Sequence, residues 1–386
     1  MLSKNISLQN FKKKKIHGKL RKFFKNLVVN SADKKNLINS FTNSYSYSFS
    51  KNQVLKFKKN NVFQVYGMGG SSLGTKAIYD FIRPKIKKKF FFFDNLDINN
   101  QKVRTKKKTL DIIISKSGNT LETIVNENIF SNKNKLFVTE NRDNYLRRLA
   151  VKLKSDIIDH KNFIGGRYSV LSEVGMLPAE LMGLNSSKFK RFNNLIINKS
   201  FVNNLLLNVS TLYNMIKRKK TNSIILNYDV NSTSLFKWYQ QLVAESLGKK
   251  SIGVLPIISS MPKDNHSLMQ LYLDGNKNCF FTFFDLVEKN TYKINNKKIL
   301  ENFSYLKRHN IQSVKHAQKQ ATINVFKAKK IPFRSFEIKG RNEETLGELF
   351  TFFMLETILL GKMMNVNPFD QPAVELIKKE TKKILN

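Results

Sequence analysis

Short apolar segments alternate with helical stretches along most of this chain. Strands that alternate with helices predict a parallel, doubly wound sheet, because each connecting helix must pack back onto the sheet. A polar stretch rich in Asn and Lys, residues 185–200, interrupts the alternation and predicts a boundary between two lobes. The predicted strands are residues 62–66, 90–93, 111–114 and 136–138 before that boundary, and 223–227, 251–258, 279–284 and 333–338 after it.

We therefore expect an α/β protein with two doubly wound, mainly parallel-sheet lobes of three-layer αβα type and extra N- and C-terminal helices. Its 386 residues are enough for two hydrophobic cores. The expected division is an N-terminal helical segment 1–55, a first lobe 56–190, a second lobe 191–340, and C-terminal helices 341–386 that pack on the second lobe.

The formal charge of +40, from 68 Lys and Arg against 28 Asp and Glu, raises the question of a nucleic-acid partner. Lysine greatly outnumbers arginine, and the lysine runs at 12–15, 87–89 and 106–108 are scattered, without a base-reading motif. Lys, Asn, Ile and Phe share A- and T-rich codons, so a drift in genome composition explains their joint excess. We expect a solvated basic surface and no specific nucleic-acid partner.

The chain carries one cysteine, Cys279, which rules out an internal disulfide framework and fits a reducing compartment. Residues 1–30 contain no apolar stretch long enough for a signal-peptide core. The most hydrophobic helix, residues 349–364, is interrupted by Thr351, Glu356 and Lys362, and falls short of a membrane span. These features predict a cytoplasmic protein without a membrane segment, in which this helix is buried.

Residues 115–123 follow an apolar strand directly and read as a hydroxyl-rich loop that leads into a helix. Backbone N–H groups at a helix N-terminus point outward unpaired and favour an anion. The sequence therefore suggests a site for a phosphate monoester. Its expected ligands are Ser115, Lys116, Ser117 and Thr120, with Thr123 as a second choice.

The same run also fits an ordinary capped helix. Asn119 and Glu122 have the spacing of a capping box. An apolar stripe is expected to pack on the sheet; it consists of Leu121, Ile124, Val125 and Ile129. Local sequence alone leaves both interpretations open.

A second glycine-rich loop, residues 67–74, follows the strand at 62–66. Its Gly-Met-Gly start resembles a dinucleotide fingerprint, for which Asp94 is a candidate ribose-binding acid, but Ser72 stands where a third glycine is required. Gly70 and Ser71 instead suit a phosphate or a sugar hydroxyl. Both loops follow strand ends of one sheet, where ligands bind in open α/β folds.

Six segments, in this order, resemble the glucose-6-phosphate isomerase (phosphoglucose isomerase) family. They are the glycine and serine loop 67–74, the phosphate loop 115–123, the Ile-Gly-Gly-Arg-Tyr-Ser segment 164–169, the helix segment Gln-Leu-Val-Ala-Glu-Ser 241–246, the histidine segment 262–270, and the C-terminal segment 369–378. The resemblance implies two sugar-isomerase (SIS) lobes. It also implies the reversible isomerisation of D-glucose 6-phosphate to D-fructose 6-phosphate, a step of glycolysis and gluconeogenesis, with no metal or organic cofactor.

The resemblance also implies residue roles. Glu245 would be the base that moves a proton between C1 and C2 through an enediolate, and Arg167 would support the developing charge. His266, supplied by the neighbouring subunit of a homodimer, and Lys378 would assist ring opening. Glu122 would orient His266, although its capping role is an adequate competing explanation.

Helical geometry places Glu245 at the margin of an apolar stripe, close to Trp238, so that it faces a boundary and not open water. The other members of the stripe are Leu235, Tyr239 and Leu242.

Gln371, a proposed substrate contact, lies with Val374 and Lys378 on one predicted face of the last helix. His266 follows Asn265, a predicted N-cap, and a helix N-terminus there would lower the pKa of the imidazole.

Two other functions stay open at this point. One is a bifunctional phosphoglucose and phosphomannose isomerase on the same fold. The other is a non-catalytic SIS-type sugar-phosphate-binding protein, which would keep the phosphate loop without needing Glu245, His266 and Lys378 together.

Overall fold

A computed structural model of the protein describes residues 2–11, 15–103, 105–275, 277–288 and 291–386; residues 12–14 of the first lysine run lie outside these ranges. Within them the strands are β1 Ile6–Gln9, β2 Val62–Tyr66, β3 Lys89–Phe93, β4 Thr109–Ile114, β5 Lys135–Glu140, β6 Asp156–His160, β7 Asn222–Asn227, β8 Leu255–Ser260, β9 Cys279–Leu286 and β10 Phe333–Ile338. The α-helices are α1 Gly18–Asn30, α2 Lys51–Lys58, α3 Leu73–Phe81, α4 Leu121–Phe130, α5 Tyr145–Lys152, α6 Glu173–Met182, α7 Ser186–Phe189, α8 Phe192–Ile196, α9 Lys199–Lys217, α10 Thr233–Leu247, α11 Met269–Asp274, α12 Ile311–Ala328, α13 Glu343–Met363 and α14 Val374–Leu385.

The described strands form two five-stranded sheets. The first has the order β3-β2-β4-β5-β6 and is parallel throughout. The second has the order β1-β10-β9-β7-β8, in which only the edge strand β1 is antiparallel. The two-lobe α/β prediction is therefore confirmed.

Two strands are missing from the sequence prediction. β6 contains Asp156, Asp159 and His160, and these polar residues hide its strand character. β1 has four residues and lies in the segment that the sequence suggests is helical, so that expectation is wrong for its first part. Its stability comes from pairing with β10, more than 300 positions away, for example Ile6 with Ile338, and no local pattern reveals such a partner.

Helix α10 lies between the lobes, because it packs on α3 of the first lobe and on α13 and β8 of the second. Trp238 of α10 is 1% exposed and meets the ring of Phe350 edge-on at 4.8 Å. Arg334 and Glu356 form a buried ion pair. Tyr239, also on α10, donates its hydroxyl to Glu356 Oε1. A helix anchored on both sides can hold a reactive side chain in one position.

Helix α13 is buried along almost its whole length, as predicted for its sequence. Among the described residues, no helix is both long and apolar enough to cross a membrane.

Candidate active site

Two glycine-containing loops meet where β2 ends. A Cβ added at Gly70 would overlap the carbonyl carbon of Gly166, so only glycine permits this approach. Ser169 stabilises the contact between the loops. Its hydroxyl donates to the carbonyl oxygen of Gly166 at 2.7 Å and lies 3.3 Å from the carbonyl oxygen of Gly70. The close approach carries Arg167, which follows Gly166, toward α10.

The Arg167 side chain is 2% exposed and has a partner for every N–H group. Its Nε donates to Ser246 Oγ at 2.8 Å, and Nη1 donates to Glu245 Oε2 at 3.1 Å and to Gln371 Oε1 at 2.7 Å. Nη2 donates to the carbonyls of Pro368 at 2.8 Å and Asp370 at 3.0 Å. These five bonds fix the plane and position of the guanidinium.

The Glu245 side chain is 30% exposed, so the predicted boundary position is confirmed. One carboxylate oxygen accepts from Arg167, and the other accepts from Gln241 Nε2 at 2.9 Å, one helical turn earlier. Gly69, with φ +52°, passes so close that a Cβ there would lie 2.7 Å from Gln241 Nε2. Glu245 is thus held on two sides and keeps an open side toward solvent.

The segment 367–371 closes this cluster from the C-terminal end of the chain. The carbonyl of Pro368 accepts from both Arg167 and the Tyr168 hydroxyl, and Lys249 pairs with Asp370 at 2.8 Å. Burial raises the pKa of Tyr168 to about 12, so its hydroxyl stays protonated as a donor at neutral pH. Gln371 lies in this segment, before α14 begins at Val374, and not on the helix face predicted for it.

The loop after β4 folds back on its own hydroxyls. Ser115 Oγ and Thr120 Oγ1 share a hydrogen bond of 2.8 Å, and the Gly118 N–H donates to Ser115 Oγ at 3.1 Å. Gly118 has φ +67°, and a Cβ there would overlap the Asn144 side chain. Lys116 Nζ donates to the carbonyl of Asn162 at 2.7 Å. The loop is compact and leads into the N-terminus of α4, a geometry suited to an anion.

The expected capping box on α4 is wrong. Thr120 is the N-cap residue and makes no side-chain cap hydrogen bond, while Asn119 Oδ1 accepts from the backbone N–H of Tyr145 at 3.0 Å. Asn119 therefore contacts the start of α5 and does not cap α4.

The expected apolar face of α4 is confirmed at Ile124, which packs against the core of the first sheet, and wrong at the two ends of the stripe. Leu121 is 41% and Ile129 is 53% exposed, whereas Thr123, Asn126 and Glu127 are buried. These buried polar side chains have partners, because Asn126 donates to the carbonyl of Asn95 and Glu127 pairs with Lys135. Thr123 faces the sheet at 0% exposure and does not reach the loop surface.

A model of the family described as phosphoglucose isomerase matches residues 22–386. The chain belongs to the phosphoglucose isomerase family. It is 36% identical to the glucose-6-phosphate isomerase of Methanocaldococcus jannaschii over 351 residues, covering 84% of this chain and 85% of that relative. It is 30% identical to the glucose-6-phosphate isomerase of Mycoplasmopsis pulmonis over 377 residues, covering 88% of each.

Two solved structures show the same fold. A hypothetical protein from Thermus thermophilus has a TM-score of 0.81 at 22% identity and covers 95% of this chain and 94% of its own. The glucose-6-phosphate isomerase of Chlamydia trachomatis has a TM-score of 0.70 at 17% identity, covering 97% of this chain and 76% of its own.

Two residues that the family resemblance assigns to catalysis lie apart from Glu245. His266 is exposed and ends a short 3₁₀ turn, Lys263–His266. The following helix α11 begins only at Met269, with Leu268 as its N-cap, so the predicted cap at Asn265 is wrong. The Asp264 carboxylate organises this turn instead, because it accepts from the backbone N–H of Ser260 at 2.7 Å.

Lys378 is similarly exposed on α14. Its Nζ donates to Glu375 Oε1 at 2.6 Å, and its side chain is 66% exposed. The stripe on which the sequence places it is not buried, since Val374 is 39% and Leu385 is 67% exposed. Within one described chain, the structure thus brings Glu245, Arg167 and Gln371 together and leaves His266 and Lys378 outside.

Three site residues are absent from the sequence prediction, although each lies inside a family motif. Gln241 and Ser246 flank Glu245 on α10, and Tyr168 follows Arg167. Their contacts with Glu245, Arg167 and the Pro368 carbonyl identify them. Gln241 and Glu245 lie four residues apart on one helix, and this spacing is a local signal that identifies Gln241 as a neighbour of the base.

Proposed function

We propose that this phosphoglucose isomerase family member interconverts D-glucose 6-phosphate and D-fructose 6-phosphate, with Glu245 as the base. The observation that carries the proposal is the half-buried Glu245 carboxylate, held between Arg167 and Gln241 beside the two glycine loops. A base for proton transfer needs a fixed carboxylate with one accessible side. Glu245 has both properties.

The reaction moves one proton between adjacent carbons of the open-chain sugar. In the direction from glucose 6-phosphate, Glu245 takes the C2 proton, and the electron pair of that C–H bond forms the C1=C2 bond of the enediolate, with the negative charge on O1. Returning that proton to C1, while the proton of the C2 hydroxyl passes to O1, gives the ketose. While Glu245 carries the proton, the charge of Arg167, 3.1 Å away, is no longer matched by the carboxylate. It then supports the negative enediolate oxygen, where charge develops.

We assign the phosphate group to the loop after β4. Lys116 supplies a cation, and Ser117 and Thr120 supply hydroxyls next to the N–H groups of the α4 N-terminus. Ser115 is 1% exposed and supports the site from below, through its 2.8 Å hydrogen bond with Thr120 Oγ1. Gly70 and Ser71 face the same sheet edge and are assigned to the sugar. Thr123 is left out of this set because its side chain is fully buried.

We further propose a homodimer in which a second copy supplies His266 across the interface. Exposure of His266 and of the apolar residues of α14 supports this arrangement, because both would gain partners from another chain. The same proposal assigns Lys378 to ring opening and Glu122 to orienting His266.

Formation of glucose 6-phosphate from fructose 6-phosphate by the purified chain tests the function. Mannose 6-phosphate, assayed in parallel, distinguishes a bifunctional isomerase. Binding of fructose 6-phosphate without turnover would identify the protein as a sugar-phosphate-binding protein and refute the proposed activity.

Arg167→Lys should lower kcat/KM about 100-fold. A lysine keeps the charge but cannot make the five bonds that hold it 3.1 Å from Glu245, so the charge no longer stays fixed beside the enediolate. The Pro368 and Asp370 carbonyls also lose their donors. Steady-state kinetics with fructose 6-phosphate measures the change. Arg147→Lys is the matched control, because Arg147 pairs with Asp159 elsewhere on the first lobe; it should change kcat/KM less than about twofold. Equal effects of the two variants would contradict the assignment.

Phosphate binding should weaken at a lower pH than it would if Lys116 had the pKa of an ordinary lysine. Burial lowers the pKa of Lys116 from its usual value of 10.5, although Glu140 opposes the shift. The cation that holds the phosphate is therefore lost at a lower pH, and kcat/KM falls with it, since that ratio reports the free enzyme. Lys116→Arg should move this alkaline fall upward, whereas Lys133→Arg, at an exposed position, should leave it in place. Identical pH profiles for wild type and Lys116→Arg would exclude Lys116 as the group that titrates.

A further inference from the structure

A cavity of about 760 Å³ lies where β1, α9, α12 and β10 meet. Its walls are mainly apolar and include Phe11, Met215, Phe326, Ile331 and Phe333. Its size and apolar character are those of small-molecule sites in proteins. None of the residues that line it belongs to the proposed active site, so the cavity is separate from that chemistry.

Four cationic side chains stand among the lining residues: Arg218, Lys220, Lys327 and Lys330. The lining contains no acidic side chain, and within the described part of the chain none of the four forms an ion pair with a carboxylate. Lys220 is tied to the backbone carbonyl of Lys277, whereas Arg218, Lys327 and Lys330 are exposed. The cavity thus combines an apolar interior with an uncompensated basic rim.

Two helix ends act against this positive charge. α9 ends at Lys217 and α12 ends at Ala328, both next to the cavity, and each C-terminus carries about half a negative charge. Together they amount to roughly one charge, against four on the side chains. The balance at the rim therefore favours an anion.

We propose that this cavity binds an amphipathic organic anion: a compound with an apolar body of aromatic size and one carboxylate, sulfonate or phosphate group. The body lies against the half-buried side chains of Met215, Ile331 and Phe333, and the anionic group lies at the rim near Arg218 and Lys327. Phe326 is 0% exposed and meets Phe333 edge-on at 6.3 Å, so it supports the half-buried ring of Phe333 from behind, and Phe333 offers the aromatic contact for the ligand.

Fluorescence titration with 8-anilinonaphthalene-1-sulfonate tests the site, with calorimetry to give the stoichiometry. We expect one equivalent bound per chain. Arg218→Glu/Lys327→Glu should weaken binding at least about fivefold, because the anionic group then meets like charge. Lys25→Glu/Lys152→Glu makes the same change in net charge at exposed positions of α1 and α5 and should leave the affinity within about twofold. All four positions are exposed, so folding is preserved.

Two further measurements separate the apolar and ionic parts. Met215→Trp fills the cavity without changing its charge and should abolish stoichiometric binding. N-phenyl-1-naphthylamine, which lacks the sulfonate, should bind at least about fivefold more weakly than the anionic probe. Equal affinity in the rim variant and its control, unchanged binding to Met215→Trp, or equally tight binding of the neutral probe would each overturn the proposal.

Discussion

Replacement of Glu245 by Gln should lower turnover about 1000-fold or more and leave the affinity for fructose 6-phosphate nearly unchanged. A glutamine has the shape of glutamate and cannot accept the C1 proton of fructose 6-phosphate. The local structure can accommodate it, because Gln241 Oε1 is buried without a partner and, after rotation of the Gln241 amide, would accept from the new amide group. Arg167 would then keep the remaining oxygen as its acceptor. Steady-state kinetics and calorimetric binding of fructose 6-phosphate measure the two quantities.

Glu288→Gln is the matched control for this variant. Glu288 pairs with Arg341 at 2.7 Å through a side chain that is 43% exposed, so its removal also breaks an arginine–carboxylate pair. It should change turnover less than about twofold. Turnover of Glu245→Gln at the wild-type rate would remove Glu245 as the base, and equal losses in both variants would show that the effect comes from stability.

Mixing two inactive chains, Glu245→Gln and His266→Ala, should restore about a quarter of the wild-type activity if a two-fold dimer shares its sites. Random exchange makes half of the dimers mixed. In each mixed dimer one site combines the intact Glu245 of one chain with the intact His266 of the other, and the second site carries both substitutions. The expected gain is large because each variant alone has almost no activity.

Differently tagged chains show whether mixed dimers form. The control mixes Glu245→Gln with the double variant Glu245→Gln/His266→Ala, which leaves no site with an intact base and should stay inactive. Mixed dimers that form without recovering activity would mean that His266 does not act across the interface. In that case the exposed position of His266 would need another explanation within one chain.

The sequence predicts the alternation of strands and helices well because each of these strands is a short apolar run, as in Val62–Tyr66. It fails for β1, whose partner β10 is distant in sequence, and for the orientation of α4. The periodicity of α4 favours burial of Leu121 and Ile129, yet its rotation is set by polar contacts of Asn126 and Glu127 with neighbouring segments. Such contacts depend on where the other segments lie.

The sequence by itself determined the family, the two-lobe α/β class and the candidate base, because motif residues and strand periodicity are local properties. Only the tertiary structure decided which residues meet. Glu245 lies 78 positions after Arg167 in the sequence, and Gln371 lies 204 positions after it. Their contact follows from the close approach of Gly70 to Gly166 and from the docking of segment 367–371. Within one chain, that same packing leaves His266 and Lys378 in solvent, because no other part of the described fold covers them.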